Sequence, residues 1–175
     1  MTDQTDQTDQ DVEAQAAALY GAVSGLLQSG GILGDDCWAT TDQEREALYH
    51  LGHGLYEQGR YDDSFKVFSL LVMQDHLEPR YVFGLGCACQ MLGRYTDALQ
   101  HYMAVAVARV DDPLPIFHAA ECLIAMSRLS EASDSLVLVL ENCSDSQSAL
   151  YRRAQTLLQR LRTAQQQAGV QDGNR

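Results

Sequence analysis

The hydrophobic pattern of this chain repeats with a period of about 34 residues. The pair Leu51-Gly52 returns as Leu85-Gly86 and again as Ala119-Ala120, with no insertion between the copies. A small residue at this position lets a neighbouring helix approach closely. The same offset aligns Ser64 with Ala98 and Ala132, and Phe68 with Tyr102 and Leu136. Three copies in register indicate a repeated structural unit.

A turn signal divides each copy into two segments. Gly59-Arg60-Tyr61 returns as Gly93-Arg94-Tyr95 and, in a weaker form, as Ser127-Arg128-Leu129. Glycine can take the left-handed conformation that ends a helix, and the aromatic residue then starts a second helix that packs back on the first. Each copy is therefore predicted to be a helix hairpin, and the period is that of the tetratricopeptide repeat (TPR).

Capping residues and prolines place the helix boundaries. Thr41-Asp42-Gln43-Glu44 forms a capping box before the first repeat, and Ser144-Asp145-Ser146-Gln147 forms another before a final helix of about 20 residues. Pro79 and Asp112-Pro113 start the first helices of repeats two and three. The predicted helix pairs are 43–57 with 61–74, 79–91 with 95–109, and 113–126 with 129–142.

These boundaries predict an all-α fold, a TPR-type helical solenoid of three tandem repeats with flanking helices. The repeats occupy residues 41–144, at about 45–78, 79–112 and 113–144. A C-terminal capping helix at 145–168 and a disordered tail at 169–175 follow. The repetitive residues 1–10 have no apolar side chain beyond Met1 and are predicted to be disordered.

Residues 11–40 form an amphipathic helix and a connector in this prediction. Apolar residues recur at helical spacing up to the pair Gly30-Gly31. The resulting stripe needs a partner, either the first repeat or the same helix of a second subunit. The candidates for dimerisation are Leu19, Val23, Leu26 and Leu27.

Charge and cysteine content restrict the classes of function. The formal net charge is −12, with 7 basic and 22 acidic side chains in residues 1–144 against 5 and 2 in residues 145–175. Such a surface repels a phosphate backbone, so nucleic acid is not an expected partner. Five cysteines without a secretory signal predict thiols rather than disulfides. Without a run of 18 apolar residues, we expect a soluble cytoplasmic protein that does not insert into membranes.

Chemical motifs are weak. Cys87 and Cys89, two apart on a helix, point in different directions, and His118 with Cys122 supplies only two ligands for a metal. His53 and Glu57 have no nucleophile, phosphate loop or carboxylate cluster beside them. We therefore expect no catalysis, no metal and no cofactor.

The first helices of the repeats are expected to line an inner groove. Helical geometry points nine side chains into it: Tyr49, His53, Tyr56, Phe83, Cys87, Met91, Phe117, Glu121 and Ile124. Because this face is aromatic and apolar, it predicts a peptide-binding groove. An N-terminal segment or a second subunit could instead fill it. Glu121 is expected either to hydrogen-bond ligand backbone or to pair with a nearby donor.

Specific motifs add a family resemblance. The segment Phe117-His118-Ala119-Ala120-Glu121-Cys122-Leu123, together with Phe83-Gly84-Leu85-Gly86, Asp75-His76 and Gly59-Arg60-Tyr61-Asp62-Asp63, closely resembles the class II chaperones of bacterial type III secretion (the TPR-containing, SycD-like family). The resemblance runs from about Leu48 to Leu140. It implies a cytoplasmic, often dimeric, non-enzymatic protein of a Gram-negative bacterium.

The same resemblance implies a partner and a binding mode. Members hold an extended N-terminal segment of a translocator protein in the groove, which would involve Tyr49, Tyr56, Phe83, Met91, Phe117 and Glu121 here. The helix near 12–28 would contribute to dimerisation, and some members also assist a transcriptional activator. The alternatives are a general TPR peptide-binding adaptor and an oligomerising scaffold. An adaptor that captures a C-terminal carboxylate would need Lys, Arg and Asn along the inner helices.

Overall fold

The computed structural model describes residues 41–172, and within this range the regular secondary structure consists of seven α-helices. They are α1 (Asp42–Glu57), α2 (Tyr61–Gln74), α3 (Pro79–Met91), α4 (Tyr95–Ala108), α5 (Leu114–Ala125), α6 (Leu129–Asn142) and α7 (Ala149–Asp172). The predicted N-terminal helix with Leu19, Val23, Leu26 and Leu27 and the tail at 1–10 lie outside the described residues.

The helix pairs begin and end within one residue of the predicted boundaries. The predicted capping box at α1 is present, since the N–H of Glu44 donates to Oγ1 of Thr41 at 3.2 Å. The N–H of Thr41 in turn donates to the Glu44 carboxylate at 2.7 Å. These reciprocal bonds satisfy two N–H groups that the helix itself leaves without acceptors, and so they fix its start.

The turn signal closes all three hairpins in the same way. Gly59, Gly93 and Ser127 have φ angles of 77°, 73° and 61°. In the first turn, the N–H of Arg60 donates to the carbonyl of Leu55 at 2.9 Å, and the corresponding bonds recur in the second and third turns. This is the Schellman motif, in which a left-handed residue satisfies the last helical carbonyls. Ser127 adopts that conformation despite its Cβ.

The start of the last helix differs from the prediction. Helix α7 begins at Ala149, and Oγ of Ser148 accepts the N–H of Tyr151 at 3.1 Å. The capping box predicted at 144–147 is therefore wrong, because the Asp145 carboxylate accepts the N–H of Gln147 at 2.8 Å in a local turn instead. The helix also extends to Asp172 rather than 168, since the sequence after 160 is rich in helix-forming Ala and Gln.

The chain divides into two compact units, and the division falls inside α3, after Ala88. The described part of unit 1 contains α1, α2 and most of α3. Its core includes Leu48, Leu55, Phe68 and Leu71, each at most 3% exposed. Buried Ser64 donates from Oγ to the carbonyl of Gly52 at 2.9 Å, which joins α1 to α2 at one of the predicted small positions.

Unit 2 has a cluster of buried side chains that come from α5, α6 and α7: Phe117, Ala120, Leu123, Ala132, Leu136, Val139, Ala154, Leu158 and Leu161. Helix α4 adds buried Ala98, Tyr102 and Val105. Ala154 lies one repeat period after Ala120, and both are fully buried. Helix α7 therefore continues the repeat phase and acts as a fourth first helix, with a small residue at the position where neighbouring helices come close.

Candidate functional site

Five of the nine predicted groove residues line one cavity in unit 1. This aromatic cavity has a volume of about 150 Å³. It is lined by Tyr49, His53, Tyr56, Phe68, Arg80, Phe83, Gly84 and Cys87. Tyr49, His53 and Tyr56 follow the spacing of one face of α1, and Phe83 and Cys87 lie four apart on α3. Helical spacing alone was therefore enough to group these side chains.

Phe68 and Gly84 also line the aromatic cavity, although neither is among the nine predicted groove residues. The Phe68 ring is 2% exposed and lies 6.0 Å from the Tyr49 ring in an edge-on arrangement. A Cβ added to Gly84 would lie 2.4 Å from the Phe68 ring. Glycine at this position is what allows α3 to pack against α2. Only packing between helices reveals this contact, so hydrophobic spacing along one helix gave no signal for it.

Arg80 is the cation of the aromatic cavity. Its guanidinium carbon lies 5.0 Å from the centre of the Tyr49 ring, a cation–π distance. The guanidinium group also contacts the Glu46 carboxylate at 3.2 Å and the Glu78 carboxylate at 3.3 Å. The hydrogen bond to Glu78 is the main cause that raises the pKa of Arg80. Arg80 and Glu46 occupy the same position in successive repeats, so opposite charges at one repeat position were the signal that could have found this pair.

A second cavity, the arginine cavity, lies in unit 2 and has a volume of about 490 Å³. It is lined by Phe117, Glu121, Ala149, Arg152, Arg153, Thr156, Leu157 and Arg160. Phe117 and Glu121 come from α5, and the other six residues come from α7. The three arginines were noted in the sequence only as part of a basic C-terminal segment.

Phe117 is a core residue as much as a cavity residue. Its ring is 1% exposed within the core of unit 2, and the Arg153 guanidinium carbon lies 4.8 Å from its centre. Helical spacing predicted this ring to lie on an open inner face. The structure shows it buried because α7 packs over α5 at this position, which the repeat period of the first three hairpins did not reveal.

Glu121 is held by donors within the protein. Its carboxylate lies 3.0 Å from Nδ1 of His118, accepts from Nε2 of Gln90 at 3.2 Å and contacts Arg153 at 3.3 Å. Gln90 in turn accepts a hydrogen bond from the Tyr102 hydroxyl at 2.7 Å. Of the two roles open for Glu121, the structure shows pairing with nearby donors.

This network also sets the charge of Glu121. Burial acts to raise the pKa of Glu121, but the hydrogen bonds from His118 and Gln90 and the charges of His118 and Arg153 outweigh it. The net result is a pKa below the ordinary value, so the carboxylate stays ionised. A charged Glu121 keeps Arg153 in place over Phe117.

The remaining two predicted groove residues, Met91 and Ile124, line neither cavity. Met91 is 47% exposed at the end of α3. Ile124 packs against the core of unit 2. Within the described residues, no three His, Cys, Asp or Glu side chains are arranged to hold a metal ion. In the same range, no helix is long and apolar enough to cross a membrane.

Comparison with known proteins places the chain in a family. A tetratricopeptide repeat model matches residues 79–107. Over 124 residues the chain is 36% identical to low calcium response locus protein H of Yersinia pestis, a match that covers 71% of this chain and 73% of that protein. The chain belongs to the class II chaperones of type III secretion translocators. This confirms both the family resemblance and the all-α TPR fold predicted from the sequence.

Structures of several members of this family contain bound peptides. The Yersinia enterocolitica chaperone SycD in complex with a peptide of the translocator YopD matches with a TM-score of 0.68 and 33% identity, covering 71% of this chain and 97% of SycD. PcrH, from Pseudomonas aeruginosa, in complex with the chaperone binding region of PopD matches with a TM-score of 0.69 and 33% identity, covering 73% and 97%. Another SycD structure shows an alternative dimer.

Proposed function

We propose that this chain is a cytoplasmic chaperone that binds an extended N-terminal segment of a type III secretion translocator and keeps it soluble and competent for export, without catalysing a reaction. The observation that carries the proposal is the aromatic cavity, where five side chains predicted from helical spacing line one apolar space. Membership of a family whose solved relatives hold translocator peptides supports it.

The size of the aromatic cavity limits what it can take. A volume of about 150 Å³ suits one apolar side chain of the client rather than a folded element. Burying one such side chain stabilises a complex by about 1.5–3 kcal/mol. Ordering each client residue costs about 1–2 kcal/mol of backbone entropy, so one anchor cannot hold an extended segment alone. The client must therefore make further contacts, with apolar residues spaced along it.

The charged rim restricts the client further. Arg80 is tied to Glu46 and Glu78 and covers one face of Tyr49, so its charge is largely neutralised within the protein. A client carboxylate would have to displace these pairs. We therefore propose that the aromatic cavity selects an uncharged, apolar anchor and that backbone hydrogen bonds complete the binding.

Co-expression with a translocator from the same bacterium tests the proposal. The variant Cys87→Phe should fill the cavity without removing a core residue. We expect soluble capture of the client to fall about tenfold, because one apolar side chain of the client can no longer be buried. The matched control is Met73→Phe, which adds a ring at a half-exposed position of α2 outside the cavity. Capture is measured by co-purification, and circular dichroism checks that helicity is unchanged.

Two outcomes would contradict the proposal. If wild-type protein leaves the translocator insoluble, the chaperone function is wrong. If the client is captured equally well by Cys87→Phe and by the control, the aromatic cavity is not its anchor site.

We include a homodimer in the proposal because SycD forms dimers. A monomeric mass for the full chain in solution would exclude a homodimer. The dimerisation residues Leu19, Val23, Leu26 and Leu27 stay predictions.

A further inference from the structure

The arginine cavity contains two residues of the predicted groove, Phe117 and Glu121, but Arg153 contacts both of them, and the proposed client anchor lies in the aromatic cavity. Two neighbouring rows of α7 form its wall: Ala149, Arg153 and Leu157, and beside them Arg152, Thr156 and Arg160. Residues four apart lie on one helix face, so the two rows together make a surface about two side chains wide. Its floor is apolar, formed by Leu157 and the edge of Phe117, and its rim is cationic.

The three arginines of the rim have different partners. Arg153 is committed within the protein, since it contacts Glu121 at 3.3 Å and covers the Phe117 ring. Arg152 and Arg160 are exposed and form no ion pair with any residue in the described range 41–172. Two guanidinium groups therefore present their N–H donors to a concave, partly apolar surface.

The charge of the whole chain makes this position distinctive. Residues 1–144 carry 22 acidic and 7 basic side chains, whereas residues 145–175 carry 2 and 5. An acidic partner is repelled by most of this protein and attracted at α7. Guanidinium groups bind carboxylates through paired N–H···O bonds, which is stronger and more directional than a single charge contact.

We propose that the arginine cavity binds an acidic segment of a partner protein. Carboxylates of the segment pair with Arg152 and Arg160, and a neighbouring apolar side chain of the segment packs on Leu157. This site shares no lining residue with the aromatic cavity. Its occupant is a segment in which acidic and apolar residues alternate.

Two other classes of ligand fit the surface less well. A nucleic acid needs a track of phosphate contacts and, for single strands, an exposed aromatic face. Phe117 is 1% exposed and Arg153 covers its ring, so no aromatic face is open here. Binding to an anionic membrane depends on clusters of about 4–8 basic residues on one surface. The cavity has three arginines, one of which is already paired with Glu121.

Fluorescence anisotropy on the full chain tests the proposal without any client. The probe is a short labelled peptide that alternates glutamate with leucine, and a glutamine–leucine peptide of equal length is the control ligand. We expect the acidic peptide to bind and the neutral one not to bind. We expect Arg152→Gln with Arg160→Gln to weaken binding about tenfold, the effect of losing two partly exposed charge pairs. Added salt should weaken it as well.

The control variant is Arg162→Gln, an exposed arginine of the same helix that does not line the cavity. It removes one positive charge where the test variant removes two, and it should leave affinity within about twofold, because long-range charge effects are screened in salt. If Arg162→Gln weakens binding as much as Arg152→Gln or Arg160→Gln alone, only net charge matters and the proposal is overturned. The proposal is also overturned if a duplex DNA or a phosphatidylserine vesicle binds through Arg152 and Arg160 and the acidic peptide does not bind.

Discussion

The aromatic cavity of unit 1 and the arginine cavity of unit 2 use the same repeat positions for different chemistry. Phe83 lies one repeat period before Phe117, and Cys87 lies one period before Glu121. Phe83 is half-buried beside an apolar space, whereas Phe117 is 1% exposed beneath an arginine. The position in the repeat therefore determines the helix face that a side chain occupies, and the next helix determines whether that face is open.

One arrangement is common to both cavities. Its two rings, Tyr49 and Phe117, lie two repeat periods apart, whereas its arginines and its carboxylates come from different positions of the repeat. Arg80 lies 5.0 Å from the Tyr49 ring and 3.2 Å from Glu46. Arg153 lies 4.8 Å from the Phe117 ring and 3.3 Å from Glu121. In each case a carboxylate holds a guanidinium group over an aromatic face. The cavities differ in what surrounds this triplet: aromatic rings in unit 1, and two further arginines in unit 2.

The largest effect is expected from shortening the two equivalent phenylalanines. Phe117→Ala should lower the free energy of unfolding by about 3–5 kcal/mol, because it leaves a hole in a closed core. Phe83→Ala should lower it by only about 1 kcal/mol, because the side chain is half-buried at the edge of a cavity. Urea unfolding followed by circular dichroism measures both. Equal losses would mean that the two positions are packed alike, which would remove the comparison.

The second effect concerns Gly84, which borders the aromatic cavity. An added Cβ would lie 2.4 Å from the ring of Phe68, which is 2% exposed and has little room to move. Gly84→Ala should therefore lower the free energy of unfolding by about 1–3 kcal/mol.

Gly54 in α1 is the matched control for Gly84. An added Cβ there meets no atom within 4 Å. Gly54→Ala should therefore raise the free energy of unfolding by about 0.5–1 kcal/mol through helix propensity alone. Urea unfolding of the two alanine variants measures the contrast. If both Gly84→Ala and Gly54→Ala stabilise the protein, the Phe68 ring moves aside easily and the aromatic cavity is not rigid.

The helices could be predicted from the sequence because their boundary signals are local. The left-handed residue at Gly59 or Gly93 and the capping box at Thr41 each act within a few residues. The cap at 144–147 was misplaced because the segment contains several competing side-chain acceptors, and Ser148 is the one that reaches the N–H of Tyr151. Local propensity cannot choose among such neighbours.

The residues of the candidate site were predictable only where they share one face of the same helix. Tyr49, His53 and Tyr56 share a face of α1 by spacing alone. The contact of Gly84 with Phe68 and the burial of Phe117 depend on how a second helix packs, and no spacing rule along one chain segment contains that information. Ala154, in phase with Ala120, was the available signal that α7 would cover α5.

The smallest expected effect is a difference between the two cavities in how the free energy of unfolding depends on pH. The folded-state pKa of Glu121 lies below its ordinary value of 4.5, so its pairing stabilises the fold fully above that pH, and the stabilisation is lost as the pH falls through the folded pKa. Glu121→Gln should therefore reduce the loss of stability between neutral pH and about pH 3 by about 1 kcal/mol, a value that allows for the partial exposure of the pair.

The control Glu141→Gln removes an exposed carboxylate of α6 that forms no ion pair within residues 41–172. Cys87, the equivalent of Glu121 in the aromatic cavity, has no carboxylate to lose, so Cys87→Ser should leave the acid dependence unchanged. If Glu121→Gln unfolds over the same acid range as wild type, Glu121 does not hold Arg153 over Phe117, and the arginine cavity owes its shape to packing alone.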